Sequence, residues 1–112
     1  MEKEDCTFCK IIKGEIPSSK VYEDELTLAF KDIAPIAPVH ILVIPKEHIN
    51  SLNELSDEKL LSHIFEVIKI VAKKEGIYDK GYRVITNIGE DAGQAVKHLH
   101  FHVLGGEKLP TR

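Results

Sequence analysis

The sequence predicts an α+β domain, an antiparallel five-stranded sheet carrying one long and one short helix. Three observations predict it. Leu60, Leu61, Ile64, Phe65, Ile68 and Val71 recur at helical spacing, which marks one long amphipathic helix. Short apolar runs elsewhere are separated by polar turns, the pattern of strands joined by hairpins. Finally, histidines alternate with apolar residues through His98-Leu99-His100-Phe101-His102, a period of two that belongs to an extended strand. The 112 residues suit a single domain, 1–112, built on one core.

Along the chain, residues 6–13 form a short helix with Phe8, Ile11 and Ile12 on one side, closed by Gly14. Pro17 opens an extended stretch, and 21–23 reads as a strand. Asp24-Glu25 is a hairpin turn leading to a second strand over 26–31. Two prolines make 34–38 a rigid loop, because they lack the donor that helix interiors and central strands need. The apolar run 39–44 is a buried central strand ended by Pro45. Ser56 is the expected N-cap of the long helix, with Asp57 and Glu58 in its first turn and Gly76 closing it. Residues 83–88 form another strand. A polar, glycine-bearing loop over 87–93 leads into the histidine strand. His63, on the long helix, reads as a surface or interface residue.

Composition narrows the function. Hydrophobic residues are 43% and charged residues 29% of the chain, a balance typical of globular proteins. A net charge of −3 offers no general basic surface for nucleic acid. No apolar run approaches the ~20 residues that span a bilayer. The acidic start lacks a signal-peptide core, and two cysteines at C-x-x-C spacing argue against a disulfide framework. The expectation is a cytoplasmic protein with neither nucleic-acid nor membrane partners.

In an extended strand His98, His100 and His102 share one face, while Leu99, Phe101 and Val103 share the other. The apolar face can bury and stiffen the strand, leaving the histidine face for chemistry. Three imidazoles side by side need hydrogen-bond partners. The row therefore binds a metal, or it forms a nucleophile with neighbours that position it and carry protons.

The run His98-Leu99-His100-Phe101-His102-Val103-Leu104 matches the histidine triad pattern, and here the chain resembles the HIT superfamily of nucleotide hydrolases and transferases. Gly105-Gly106 is similar to the Hint branch, the nucleoside phosphoramidate hydrolases. Cys6-Thr7-Phe8-Cys9-Lys10-Ile11-Ile12, Phe30-Lys31-Asp32-Ile33-Ala34-Pro35, His40-Ile41-Leu42-Val43-Ile44-Pro45-Lys46 and Gly81-Tyr82-Arg83 through Asn87 resemble family segments in family order, so the likeness covers nearly the whole chain. It implies a HIT-like fold, a homodimer joined across the long helix and a neighbouring strand, and a purine nucleotide substrate.

Residue by residue, the resemblance implies His100 as the nucleophile that attacks the α-phosphorus, giving a nucleotidyl-imidazole that water hydrolyses to the nucleoside monophosphate. An imidazole with an ordinary pKa near 6.5 has its neutral form available at pH 7. The His98 carbonyl would orient the His100 ring, and His102 and His40 would donate to the phosphate oxygens, where charge builds in the transition state. Asn87, Gly93 and Gln94 match positions around the phosphate and leaving group, with Ala95 and Val96 beside them. Asp32 matches the acid that holds both ribose hydroxyls. Phe8, Ile11, Phe30, Ile33 and Leu42 match the apolar pocket around the purine. On composition alone, those five read as core.

Cys6-x-x-Cys9 has zinc-knuckle spacing, although two cysteines do not complete a tetrahedral site. Two reduced core cysteines are the other reading; a redox pair is disfavoured because no βαβ pattern surrounds it. The resemblance to C-x-x-C HIT proteins implies a structural zinc held by Cys6, Cys9, His48 and His98. Two departures bear on the leaving group. Ala95 stands where Hint-type enzymes commonly carry a serine thought to help protonate the leaving amine, and Ala92 through His98 is partly similar to the Fhit branch. Six residues follow Gly106, with no tryptophan, where Hint-type tails are often longer. A Fhit-like dinucleoside polyphosphate hydrolase and a catalytically weak nucleotide-binding adaptor are therefore the alternatives. A zinc hydrolase using the histidine row is a third, and His102 disfavours the uridylyltransferase branch, which has glutamine there.

Overall fold

A computed structural model describes residues 5–111. The elements run α1 (Thr7–Lys13), β1 (Lys20–Glu23), β2 (Thr27–Lys31), β3 (Val39–Pro45), α2 (Glu58–Lys74), β4 (Arg83–Ile85) and β5 (Phe101–Gly105), with short 3-10 turns at Leu52–Glu54 and Glu90–Ala92. The five strands form one antiparallel sheet, as the hairpin pattern predicts, and their order is β1-β2-β3-β5-β4.

Strand alternation divides the core in two. Ala29, Ile41, Val43, Phe101 and Val103 face α2, where they bury Leu60, Ile64, Val67, Ile68 and Val71. The other face carries Leu28, Phe30, Leu42 and Ile44 under Cys6, Phe8, Cys9 and Ile11 at α1. Residues directly opposite in neighbouring strands share a face. The pairings Phe30↔Leu42 and Leu42↔His102 therefore bring His102 onto the α1 face.

Several local expectations are corrected. Asp57, not Ser56, caps α2: its Oδ1 accepts from the Lys59 and Leu60 N–H groups, where a carboxylate also meets the positive end of the helix dipole. β4 stops at Ile85 instead of running to 88. Beyond it, the Thr86 hydroxyl takes the His100 carbonyl at 2.8 Å, so the side chain replaces the ladder bond. Phe65 is 46% exposed at the border of the helical stripe, although its ring meets Phe101 edge to face. His63 is not merely a surface residue, because its Nε2 lies 2.8 Å from Asp24 Oδ2 and ties α2 to the β1–β2 turn.

The Gly105-Gly106 pair has a packing reason. A Cβ on Gly105 would sit 2.9 Å from Ile77 Cδ1 and 3.2 Å from its Cβ. Gly106 adopts φ +95°, and a Cβ there would meet Pro38 at 2.9 Å. Together they let the end of β5 turn between the α2–β4 connection and the proline loop.

Candidate functional site

The three alternating histidines are not all within the strand. β5 begins at Phe101, and His98 and His100 lie on the irregular segment that bends into it. They nonetheless share the α1 face. Phe8 of α1 packs edge to face on His98 and His100, at 5.9 and 5.1 Å between ring centres, and His100 meets His102 at 5.1 Å. The expected open histidine face is thus largely covered: His98 and His100 are buried and His102 is half-buried.

Burial pushes the pKa of His40 and His100 down from the ordinary value, against the Asp32 charge at His40 and the His98 carbonyl at His100. Burial also brings His98 and His102 down to about 4, the former against the Pro45 carbonyl, the latter aided by His100 and His40. At neutral pH each ring then carries one N–H and one lone pair, and its partners decide which nitrogen has which. The His100 Nδ1–H donates to the His98 carbonyl at 2.7 Å, which leaves a lone pair on Nε2. The His40 Nδ1 accepts the Ile36 N–H at 3.2 Å, so its Nε2–H donates to His102 Nδ1 at 2.9 Å, with Asp32 Oδ2 at 3.4 Å. His102 is left with an N–H on Nε2. One lone pair and one donor thus stand side by side, the first aimed by the His98 carbonyl and the second by the His40 ring.

A second group lies beneath. Cys6, Cys9, His48 and His98 bring four donor atoms within 4.8 Å of one another. A tetrahedral ion with sulfur at about 2.3 Å and nitrogen at about 2.0 Å needs sulfur–nitrogen separations of about 3.5 Å. The observed separations are 3.4 Å from Cys6 to His98, 3.6 Å from Cys9 to His98 and 3.3 Å from Cys9 to His48. The tautomers also fit. The His98 Nε2–H donates to the Pro45 carbonyl and the His48 Nε2–H to Asn50 Oδ1, so both Nδ1 lone pairs turn towards the sulfurs. Asp32, His40 and His102 also cluster. There the Ile36 N–H occupies His40 Nδ1 and forces the proton onto the inward nitrogen, which does not suit a metal.

Of the expected base pocket, Phe8, Ile11, Phe30 and Leu42 pack together in the core, while Ile33 stands 97% exposed at the rim beside half-buried Asp32. Asp32 Oδ1 accepts the Ala34 N–H. In the 86–97 loop Asn87 is half-buried, and Gly93, at φ +79°, closes the 3-10 turn. Ala95 is exposed, and Val96 packs against the α1 cluster. Gln94 braces the loop: its Oε1 accepts the Gly89 N–H, and its Nε2 donates to the Asn50 and Val96 carbonyls. Sequence reasoning missed Asn50 and Thr86. Asn50 lies two residues past His48, a spacing with no signal of its own, and Thr86 reads as an ordinary strand residue.

The HIT domain family model matches residues 13–109. The chain belongs to the HIT domain family. It is 53% identical to an uncharacterised HIT-like protein of Synechococcus elongatus over 108 residues, 95% of this chain and 94% of the relative. It is 46% identical to the purine nucleoside phosphoramidase of Escherichia coli K12, also over 108 residues, covering 95% of this chain and 91% of that enzyme. Among solved structures, a histidine triad protein from Clostridium difficile superposes with a TM-score of 0.96 at 55% identity, over 100% of this chain and 99% of the other. A HIT family hydrolase from Clostridium thermocellum gives 0.95 at 52% identity, over 98% and 97%. The α+β sheet of this HIT protein is therefore the fold of these structures.

Proposed function

We propose that this HIT protein is a hydrolase that cleaves purine nucleoside phosphoramidates, with His100 as the nucleophile. The observation that carries the reading is the His100 Nδ1–H bond to the His98 carbonyl, which presents an Nε2 lone pair from a buried, neutral ring. Likeness to the Escherichia coli phosphoramidase supports the substrate class. Nε2 attacks the α-phosphorus, the P–N bond breaks, and the leaving nitrogen takes its proton from a solvent water, since Ala95 offers no hydroxyl. Water then attacks the nucleotidyl-imidazole, releasing the nucleoside monophosphate and restoring His100.

His102 Nε2–H serves as a fixed donor to the phosphate oxygens, with His40 setting its tautomer from behind. Asp32 accepts from the ribose hydroxyls with lone pairs that Ala34 leaves over. The purine lies against Ile33, whose exposed side chain is the apolar surface it takes out of water, beside the edge of the Phe8, Ile11, Phe30 and Leu42 cluster. Asn87, Gly93, Gln94, Ala95 and Val96 form the phosphate side. Intact-mass and peptide mass spectrometry after rapid acid-free quenching should find a nucleotidyl adduct on His100. An adduct on another residue, or turnover with none under single-turnover conditions, contradicts the reading.

Ala95 favours a second reading. It offers no hydroxyl to a leaving amine, whereas a nucleoside polyphosphate departs as an anion with less need of a proton. Dinucleoside polyphosphates are therefore the alternative substrates.

The Cys6, Cys9, His48 and His98 group holds zinc, the ion that suits two thiolates and two imidazoles in a tetrahedron. Its role there is structural, because four protein ligands leave no position for substrate. A reducing compartment such as the cytoplasm suits the thiol pair. The protein works as a homodimer formed across α2 and the β4 edge, where Phe65, Ile70 and Val84 are exposed. Among the described residues, no helix is long and apolar enough to cross a membrane.

A further inference from the structure

We propose that Asn50 is a positioning residue that couples metal binding to nucleotide binding; this rests on the nucleotide reading above. Two routes lead from the metal-ligand group to the nucleotide side. The first runs through His98, whose carbonyl holds His100. It does not depend on an ion. His98 is fully buried, its Nε2–H is taken by the Pro45 carbonyl, and the next residue is fixed by the Leu99 N–H bond to the Ile49 carbonyl at 2.6 Å.

The second route is different. Asn50 accepts the His48 Nε2–H on its side-chain oxygen at 2.9 Å and the Gln94 Nε2–H on its backbone carbonyl at 2.6 Å. Gln94 in turn spans the loop to Gly89 and Val96. The orientation of that amide is forced, since its oxygen faces an N–H and its nitrogen faces two carbonyls. Asn50 is exposed, and a surface cleft lined by Cys6, His48, Asn50 and Val96 opens beside it. These bonds compete with water, and the His48 ring is the group that orients the Asn50 side chain. An ion on His48 Nδ1 fixes the ring, the ring fixes Asn50, and Asn50 fixes the loop that takes the phosphate. Removal of the ion loosens that loop without unfolding the His98 side.

Coupling of this kind is reciprocal: whatever factor the metal adds to nucleotide affinity, the nucleotide adds to metal affinity, typically about 5- to 150-fold. Zinc affinity of the loaded protein is measured by competition with a chromogenic chelator, with and without saturating AMP, and AMP binding is measured by calorimetry on loaded and stripped protein. AMP should raise zinc affinity at least about fivefold, and zinc should raise AMP affinity by the same factor. Free AMP competes for zinc in the opposite direction, so the gain cannot come from it. Asn50→Ala should still bind one zinc per chain but bring both factors close to one. Asn50→Asp, which keeps an acceptor for His48, should retain them. Equal AMP affinity with and without zinc overturns the inference, as does undiminished coupling in Asn50→Ala. AMP binding to neither form overturns the nucleotide reading itself, and this inference with it.

Discussion

Each histidine of the site owes its chemistry to a hydrogen-bond partner, some close in sequence and some remote. His100 needs the His98 carbonyl, His40 the Ile36 N–H, and His98 the Pro45 carbonyl. The alternation through 98–102 made the shared face legible, and the spacing of Cys6 and Cys9 pointed to a metal. The hold of the His98 carbonyl on His100 was expected from the family resemblance, whereas the tautomers of His98 and His102 were not legible, because the Pro45 carbonyl and the His40 ring reach them only in the folded sheet. The protonation equilibria follow from burial. His102 titrates at about 4 in the fold against an ordinary value of 6.5, so the unfolded chain takes up its proton first as pH falls. Its contribution to stability is complete above pH 6.5 and is lost as pH falls through 4. Melting in excess chelator, which removes any contribution from metal loss, should show the melting temperature dropping across that window. His102→Gln should make the drop shallower. An unchanged slope in that variant contradicts a half-buried, neutral His102.

At the scale of elements, hairpins and the long helix were legible from period and turn chemistry, and their ends were not. The cap moved from Ser56 to Asp57 and β4 lost its last residues to Thr86, because single side-chain hydrogen bonds decide where regular structure stops. α1 packs Phe8 and Ile11 on the sheet, and Cys6 and Cys9 bring it against His48 and His98. Cys6→Ser should abolish zinc binding and lower the melting temperature by about 10 °C, while turnover at a permissive temperature falls less. Full zinc retention on metal analysis removes Cys6 from the ligand set. The end of β5 is equally specific. Gly105→Ala forces a methyl into Ile77 and should cost about 1–3 kcal/mol of stability by urea unfolding. A neutral effect would show that Ile77 can yield.

On the scale of the whole molecule, the sheet has two different faces, each with its own buried cluster. One face buries α2, and the other gathers α1, the metal-ligand group and the histidines. The fold class, strand order excepted, followed from local pattern. The base pocket did not, since Phe8, Ile11, Phe30 and Leu42 look like core in sequence and are core in the fold. The exposed α2 and β4 surface should pair two copies, and light scattering should give twice the 12.6 kDa chain mass. Val84→Lys, on the edge strand, should shift it towards the monomer, and a wild-type monomer at micromolar concentration contradicts the dimer. The role of His100 as nucleophile is best checked by AMP release from adenosine 5′-phosphoramidate, comparing wild type with His100→Ala under identical zinc loading. Wild type should release AMP, and the variant should lose at least about a thousandfold, the scale seen when a nucleophile is removed. Comparable release by both would contradict that role.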